Sequence, residues 1–186
     1  MTLAAIAYCV ASRLAYVCWV GIALRRQERH EAYTRRWGVA GGFARFRRVA
    51  SVLMANDAVA FALLCLVTHD TLAIGVPRVA TIATGVALVG VGVSVKVWAA
   101  ATLGGDAYYW YNFFAPPTAH PVVLAGPYRF LANPMYTVGY LQAYGFALIT
   151  GSLVGLGAAA FAQLAILVFY YAVERPHFQR INGSRP

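Results

Sequence analysis

The residues best suited to chemistry lie between positions 98 and 140 and directly after position 173. Asn133 and Pro134 form a typical helix start, since Asn caps helices and Pro is favoured at the first helical position. The unpaired N–H groups of a helix start can bind a carboxylate or a phosphate, although any well-capped helix shows the same pattern. Glu174 is the only acidic residue in the C-terminal tail. Its carboxylate is a candidate acceptor for the hydroxyl or amine groups of a ligand.

Other catalytic patterns are missing from the sequence. There is no GxxxxGK[ST] phosphate loop, no GxGxxG nucleotide motif, no HExxH motif and no GxSxG motif. The four histidines are scattered over loops and the tail, and the three cysteines lie inside apolar runs without metal-ligand spacing. We therefore predict no metal site.

The composition predicts a membrane protein. Of 186 residues, 61% are hydrophobic and 11% are charged, whereas a soluble domain carries about 25% charged residues. A chain of this length cannot bury so many apolar side chains in a core of its own, so a bilayer must solvate them. This excludes a soluble dinucleotide-binding enzyme, a nucleic-acid-binding domain and a disordered tail, and no nucleic-acid partner is expected.

Five apolar stretches predict an all-α, polytopic membrane protein with a single membrane domain over residues 1–186. The predicted spans cover residues 3–24, 49–68, 79–103, 134–150 and 153–173. Only Gly151 and Ser152 separate the last two, which predicts a tight helical hairpin. The other segments are an Arg-rich loop (25–48), a long loop (104–133) and a tail (174–186).

The basic residues predict the orientation. The net charge is +9, and eight arginines lie in the loop 25–48. Basic residues concentrate in short cytoplasmic loops, so we expect the N-terminus outside and both the C-terminus and the loop 104–133 in the cytoplasm. The same arginines either serve orientation alone or also contact anionic lipid headgroups. Heavy Arg use, with Lys96 as the only Lys, suggests a bacterial inner membrane.

Three charged residues are predicted inside spans. Arg13 and Asp57 lie near the middle of the first and second spans, which should run antiparallel, so we expect them to pair or to share a polar network with Asn56. A structural pair that fixes the register of the helices is favoured over a role in substrate binding. Lys96 is expected to extend its stem towards the interface.

Two motifs in the second half of the chain are Gly126-Pro127-Tyr128-Arg129-Phe130-Leu131-Ala132-Asn133-Pro134-Met135-Tyr136 and Glu174-Arg175-Pro176. They resemble motifs of the integral membrane methyltransferases, which include the phospholipid N-methyltransferases and the isoprenylcysteine carboxyl methyltransferases. The Asn-Pro-Met-Tyr form is closer to the phospholipid branch, whereas the spacing from His120 to Gly126 is like the isoprenylcysteine branch. The sequence departs from the family pattern at Ala132, in place of a cation, and at Arg175, in place of a second Glu.

The resemblance implies S-adenosylmethionine as cofactor, with S-adenosylhomocysteine as product, bound at the cytosolic face. The cofactor-binding residues that it implies are His120, Val122, Gly126, Tyr128, Asn133, Pro134, Tyr136 and Glu174. Glu174 and Tyr136 are the candidates for catalysis, because an amine acceptor must lose a proton. Arg129 and Tyr140 are the candidates for binding the substrate.

The predicted function is methyl transfer to a membrane-embedded lipid, with a phospholipid headgroup amine as the favoured acceptor. One alternative is a carboxyl methyltransferase for prenylated thiols or a lipid reductase of the same superfamily. Another is a non-catalytic membrane protein or small transporter that retains the architecture. A transporter should carry polar residues at one depth in several spans, and the sequence offers only the level of Arg13 and Asp57. The oligomeric state stays open.

Overall fold

Long apolar runs with few helix breakers fold into long helices. The computed structural model describes residues 1–115 and 125–183, and these contain no strand, in agreement with the predicted all-α class. The α-helices are α1 (Thr2–His30), α2 (Thr34–Val67), α3 (Arg78–Leu103), α4 (Gly105–Tyr108), α5 (Leu141–Thr150), α6 (Leu153–Phe169) and α7 (Arg175–Gly183). Short 3₁₀ turns cover Tyr111–Phe113, Gly126–Arg129 and Val138–Tyr140.

Four helical segments in the described part of the chain are long and apolar enough to cross a membrane. They are α1, α2, α3 and the continuous segment Leu153–Arg180. The last is continuous because the π-helical turn Tyr170–Glu174 joins α6 to α7. Glu174 therefore lies inside a continuous helix that runs on to Gly183, and not at the boundary between a span and a tail.

The predicted fourth span, residues 134–150, is not one helix. Asn133 O accepts the N–H of Thr137, but Pro134 O accepts that of Gly139, five residues on, and regular α-helix starts only at Leu141. The expected helix start at Asn133-Pro134 is therefore wrong. The break is stable because the Gln163 side chain of α6 donates to Tyr136 O at 3.1 Å, which replaces a hydrogen bond of the backbone.

The Arg-rich segment 25–48 is not a loop as predicted. Helix α1 continues to His30 and α2 begins at Thr34, so three residues connect them. The Gln27 side chain accepts the N–H groups of Tyr33 (2.9 Å) and Thr34 (3.3 Å), which caps the start of α2. Arg is a good helix former, so most of the charged segment is helical, although Gly38 (φ 69°, ψ 172°) kinks α2 after its first turn.

The predicted tight hairpin is confirmed. Gly151 adopts a left-handed conformation (φ 64°) that ends α5, and the Ser152 hydroxyl accepts the N–H of Gly155 to cap α6. Arg78 at the start of α3 donates to Leu148 O (2.9 Å) and Ile149 O (2.5 Å), two carbonyls at the end of α5. The tip of the hairpin is thereby fixed to the connection between α2 and α3.

Helices α3 and α5 pack closely through glycines. A Cβ atom on Gly85 would lie 2.7 Å from Gly145 O, and one on Gly145 would lie 2.5 Å from Gly85 O. Gly155 likewise faces the Cys65 sulfur of α2, so this small residue of the hairpin serves packing within the chain, as expected. Small residues of this kind allow helix backbones to approach in a membrane protein.

The predicted pair in the first two helices is present. Arg13 Nη2 lies 2.5 Å from Asp57 Oδ2, and both side chains are about nine-tenths buried. Next to them, Asn56 donates to Ser12 Oγ and accepts from Tyr8 OH, each at 2.7 Å. The pair and the Asn56 contacts fix the register of α1 against α2.

We expect the α3–α5 contact to be sensitive to a single methyl group. Gly85→Ala should lower the free energy of unfolding by about 1–3 kcal/mol, because the new Cβ must push the Gly145 backbone away. Gly90→Ala on the same helix meets nothing within 4 Å and should be neutral or stabilising. Thermal unfolding of the purified protein in detergent measures both, and equal midpoints for the two variants would contradict the close contact.

The ion pair should show coupling in a double-mutant cycle. Asp57→Asn alone should destabilise the protein by about 3–5 kcal/mol, because Arg13 is left as an unpaired buried charge. The double variant Arg13→Gln, Asp57→Asn should recover much of that loss. Unfolding midpoints of the four proteins give the coupling, and additive losses would show that the two residues act independently.

Candidate functional site

A cavity of about 610 Å³ lies between α1, α2, α3, α5 and α6 and reaches the end of α4, the turn after α4 and the turns before α5. Its walls are mainly apolar, from residues such as Met54, Phe61, Val89 and Phe146. Three charged side chains also line it, those of Arg13, Asp57 and Lys96. Aromatic side chains close one end, namely Tyr108, Tyr109, Trp110, Tyr136 and Tyr140.

At the aromatic end lies a buried carboxylate. Glu174 is 6% exposed, and its Oε1 accepts hydrogen bonds from Trp110 Nε1 (2.5 Å) and Tyr136 OH (2.6 Å). Both bonds end on the same oxygen, so Oε2 has no hydrogen bond from the described residues. Two donors from distant parts of the chain therefore hold one oxygen of this carboxylate.

The π-helical turn Tyr170–Glu174 positions this carboxylate. One extra residue in the turn rotates the end of the helix, and such turns are frequent at functional sites. The helix is held in place by α1, since Arg25 donates to Ala172 O at 3.1 Å and the start of α7 binds α1 through His177 and Glu28 at 2.7 Å.

Trp110 is positioned by packing on both of its faces. Its ring packs edge to face against Phe46 of α2 and Phe169 of α6, and its backbone is left-handed (φ 59°). Arg47 pairs with Asp106 at 2.8 Å and so fixes α4, which precedes it. Trp110 is 7% exposed, and a buried indole N–H needs an acceptor, which Glu174 provides.

Two further phenols lie near the carboxylate, Tyr108 and Tyr128. Burial raises the pKa of both, and the negative charge of Glu174 raises that of Tyr128 further, so both hydroxyls keep their protons near neutral pH. The Tyr128 hydroxyl is buried without a hydrogen-bond partner among the described residues, and the same holds for Asn112 Oδ1. Buried polar groups of this kind are rare unless a ligand or water satisfies them.

Some of the predicted site residues come together. Tyr136 and Glu174 are in contact, Tyr128 lies close enough to interact with Glu174 electrostatically, and Tyr140 lines the cavity. Tyr140 also donates to Ala162 O at 3.2 Å, so part of its role is structural.

The other predicted residues are placed differently. Gly126 packs on the last turn of α3 with a left-handed backbone (φ 56°), and Pro134 is fully buried in the helix break. Asn133 contributes its carbonyl to that break, whereas Arg129 is exposed and lies over Phe130. None of these four lines the cavity. His120 and Val122 lie outside the described residues.

The sequence did not single out Trp110, because its aromatic neighbours are also typical of a membrane interface. Interface residues are half-exposed, whereas Trp110, Phe113 and Phe114 are buried in the core. Lys96 was expected to extend towards the interface, but its ammonium lines the cavity and its stem faces Gly139. Only the contacts between helices reveal these positions.

Comparison with known proteins gives one family. The family model for phospholipid methyltransferase matches residues 80–185, more than half of the chain. The match covers α3, α5, α6 and α7, and therefore Trp110, Tyr136 and Glu174. No solved structure matches the chain.

Curated relatives agree with the family model. The phosphatidylethanolamine N-methyltransferase of Lodderomyces elongisporus is 36% identical over 101 residues, which are 54% of this chain and 11% of that protein. The enzymes of the same name from Debaryomyces hansenii and Pyricularia oryzae are 31% and 30% identical over 74% and 76% of this chain. The matches cover only 17% and 15% of those two proteins, so this chain spans a small part of the length of these relatives.

We expect the Trp110 hydrogen bond to hold the site together. Trp110→Phe keeps most of the ring packing but removes a donor to a buried carboxylate, which should cost about 1.5–3 kcal/mol of stability. Trp98→Phe is the matched control, because Trp98 is half exposed and makes no hydrogen bond through its ring within the described residues. Thermal unfolding compares the two variants, and equal midpoints would show that Glu174 does not need the indole.

Proposed function

Because the chain belongs to the phospholipid methyltransferase family, we propose that it transfers a methyl group from S-adenosylmethionine to the headgroup amine of a membrane phospholipid. The relatives named above are N-methyltransferases of phosphatidylethanolamine, which favours an amine over the carboxyl of a prenylated thiol or a reducible lipid. The observation that carries the proposal is Glu174, a buried carboxylate held by Trp110 and Tyr136, two side chains that line a largely apolar cavity.

The polar groups left without partners fit the proposed cofactor. S-adenosylmethionine carries hydroxyl groups, an ammonium and a carboxylate, which need both acceptors and donors. Asn112 Oδ1 is an acceptor and the Tyr128 hydroxyl is a donor, and both are buried without partners among the described residues. Glu174 adds a second acceptor, because both of its hydrogen bonds end on Oε1. The aromatic ring of Tyr136, which lines the cavity, also suits a positively charged sulfonium. We expect His120 and Val122, and the helix break around Asn133 and Pro134, to complete this site.

In this proposal, few residues carry the steps of the reaction. When bound, the cofactor supplies a methyl carbon that its sulfonium already activates, so no acid is needed to release it. Glu174 stabilises positive charge at the reacting end of the cavity, and its Oε2 can take the proton that the amine must lose. Tyr136 orients this carboxylate through its hydroxyl. The buried aromatic residues around them exclude water, which would compete for the methyl group.

We place this site at the cytoplasmic face. The Arg-rich ends of α1 and α2 lie at the same end of the molecule as Glu174, as the contact between Arg25 and Ala172 O indicates. Basic residues favour the cytoplasmic side, which puts the N-terminus outside. In this arrangement the first arm of the hairpin is a fifth crossing, with only ten residues of α-helix in α5. Exposed arginines such as Arg26 and Arg29 are then placed to contact anionic headgroups. A bacterial inner membrane remains a prediction from composition.

Ligand binding tests the cofactor site directly. S-adenosylhomocysteine at about one hundred times its Kd should stabilise the protein by about 2.7 kcal/mol. Tyr128→Phe should bind it roughly three- to tenfold more weakly, because one donor is lost. The same variant should unfold no earlier than the wild type without ligand, since the hydroxyl has no partner in the described structure.

Tyr171→Phe is the matched control for this experiment. Its ring is 57% exposed on the same helical segment as Glu174, so both stability and affinity should be unchanged. Thermal shift and isothermal titration measure the two quantities. If the wild type shows neither heat nor stabilisation with S-adenosylhomocysteine, the proposed cofactor is wrong.

A further inference from the structure

The charges in the cavity do not cancel. Arg13 and Asp57 neutralise each other at 2.5 Å, but Lys96 forms no hydrogen bond or ion pair with the described residues. Its ammonium lies 5.6 Å from the centre of the Tyr140 ring, which attracts a cation only weakly. Arg13 Nε is also buried without an acceptor. The middle of the cavity therefore has one uncompensated positive charge and unused donors.

Burial of an uncompensated charge in an apolar interior costs free energy, so the position of Lys96 needs an explanation. A lysine on the solvated surface would need no such explanation, because water solvates its ammonium. Lys96 instead lies against the cavity wall with its stem beside Gly139. A Cβ at position 139 would come within 2.9 Å of Lys96 Cγ, so glycine leaves the room that this side chain occupies. A ligand with a single negative charge would neutralise the middle of the cavity and use the free donors.

The lining residues follow an order along α2. Ser51 lies towards the aromatic end, where Trp110 packs on Phe46 of the same helix. Asp57 is about 9 Å further along the helix, at 1.5 Å per residue. Phe61 comes one turn later and begins the apolar end of the cavity. From the cytoplasmic end, the cavity thus offers a carboxylate site, then cations, then apolar walls.

We infer that Lys96 and Arg13 bind the phosphodiester of the lipid substrate and thereby place its headgroup amine at the aromatic end. This inference rests on the proposed function, because it identifies the recognition element of the same cavity. In a headgroup such as phosphoethanolamine the amine, the phosphodiester and the acyl chains follow in that order. The order matches Glu174, the two cations and the apolar walls.

The cavity walls explain how such a lipid could reach the site. Helix α3 packs mainly on α5 and helix α1 mainly on α2, whereas α2 and α3 have little contact with each other. Residues of both α2 and α3 line the cavity, so its mouth lies between two helices that face the bilayer. A phospholipid can therefore enter sideways without passing through water.

Lys96→Met and Lys96→Arg form a matched pair that tests the inference. Lys96 has no ion-pair partner in the described protein, so Lys96→Met should not unfold it, and the ligand-free variant should melt at or above the wild-type temperature. Its affinity for phosphatidylcholine, a phosphodiester lipid that cannot accept another methyl group, should fall about tenfold or more, while Lys96→Arg should retain most of it. Lipid titration followed by tryptophan fluorescence measures the affinity, with diacylglycerol as the lipid that lacks a phosphate.

Activity assays separate this inference from the proposed function. With phosphatidylethanolamine, Lys96→Met should raise KM about tenfold and leave the KM for S-adenosylmethionine unchanged. With a long-chain primary amine that lacks phosphate, the variant and the wild type should react alike. Equal phosphatidylcholine affinities, or a loss of cofactor affinity instead, would overturn the inference. If the wild type methylates no phospholipid amine while lipid binding still depends on Lys96, the proposed function fails and the phosphodiester site stands.

Discussion

The structure depends on one constraint: polar groups inside an apolar molecule must find their partners within the chain. Arg78 satisfies the carbonyls that end α5, and Gln163 satisfies the carbonyl that is freed where the helix breaks before α5. Arg13 and Asp57 satisfy each other. Since this rule is followed so widely in the described structure, the few exceptions are informative. Lys96 and the Tyr128 hydroxyl are exceptions, and each lies in the region that a ligand would occupy.

The cavity itself follows from how the helices are distributed. Glycines allow α3 and α5 to pack backbone against backbone, and the pairs α1–α2 and α3–α5 leave space between them. A side chain at Gly85 or Gly145 would force α3 and α5 apart. The close contact also explains why the first arm of the hairpin is short, because Gln142 and Gly145 meet α3 directly and the turns before them lead the chain back towards α6.

The sequence predicts those features that depend on local patterns or on depth in the membrane. The hairpin followed from Gly151 and Ser152, and the buried ion pair followed from the equal depth of Arg13 and Asp57 in antiparallel helices. The helix start at Asn133-Pro134 failed, because a local capping signal cannot report the distant Gln163 that stabilises a break. The Arg-rich loop failed for a related reason: charge gave the side of the membrane, but helix propensity and the Gln27 cap decided the local structure.

The candidate site was predictable only in part, because some of its residues lie in sequence motifs and others are recognised only from contacts between helices. Glu174 and Tyr136 lie in two sequence motifs. Because those motifs resemble motifs of a known family, both residues were identified without knowledge of the fold. Trp110 and Lys96 gain their roles only from contacts between helices, and each has a common alternative explanation as an interface residue. A carboxylate at one end of the cavity and excess positive charge in its middle together form a dipole fixed in an apolar medium, where charges interact strongly. A zwitterionic headgroup has the opposite dipole, so the lipid that we propose would be recognised by very few polar residues, in keeping with the six acidic residues in the whole chain.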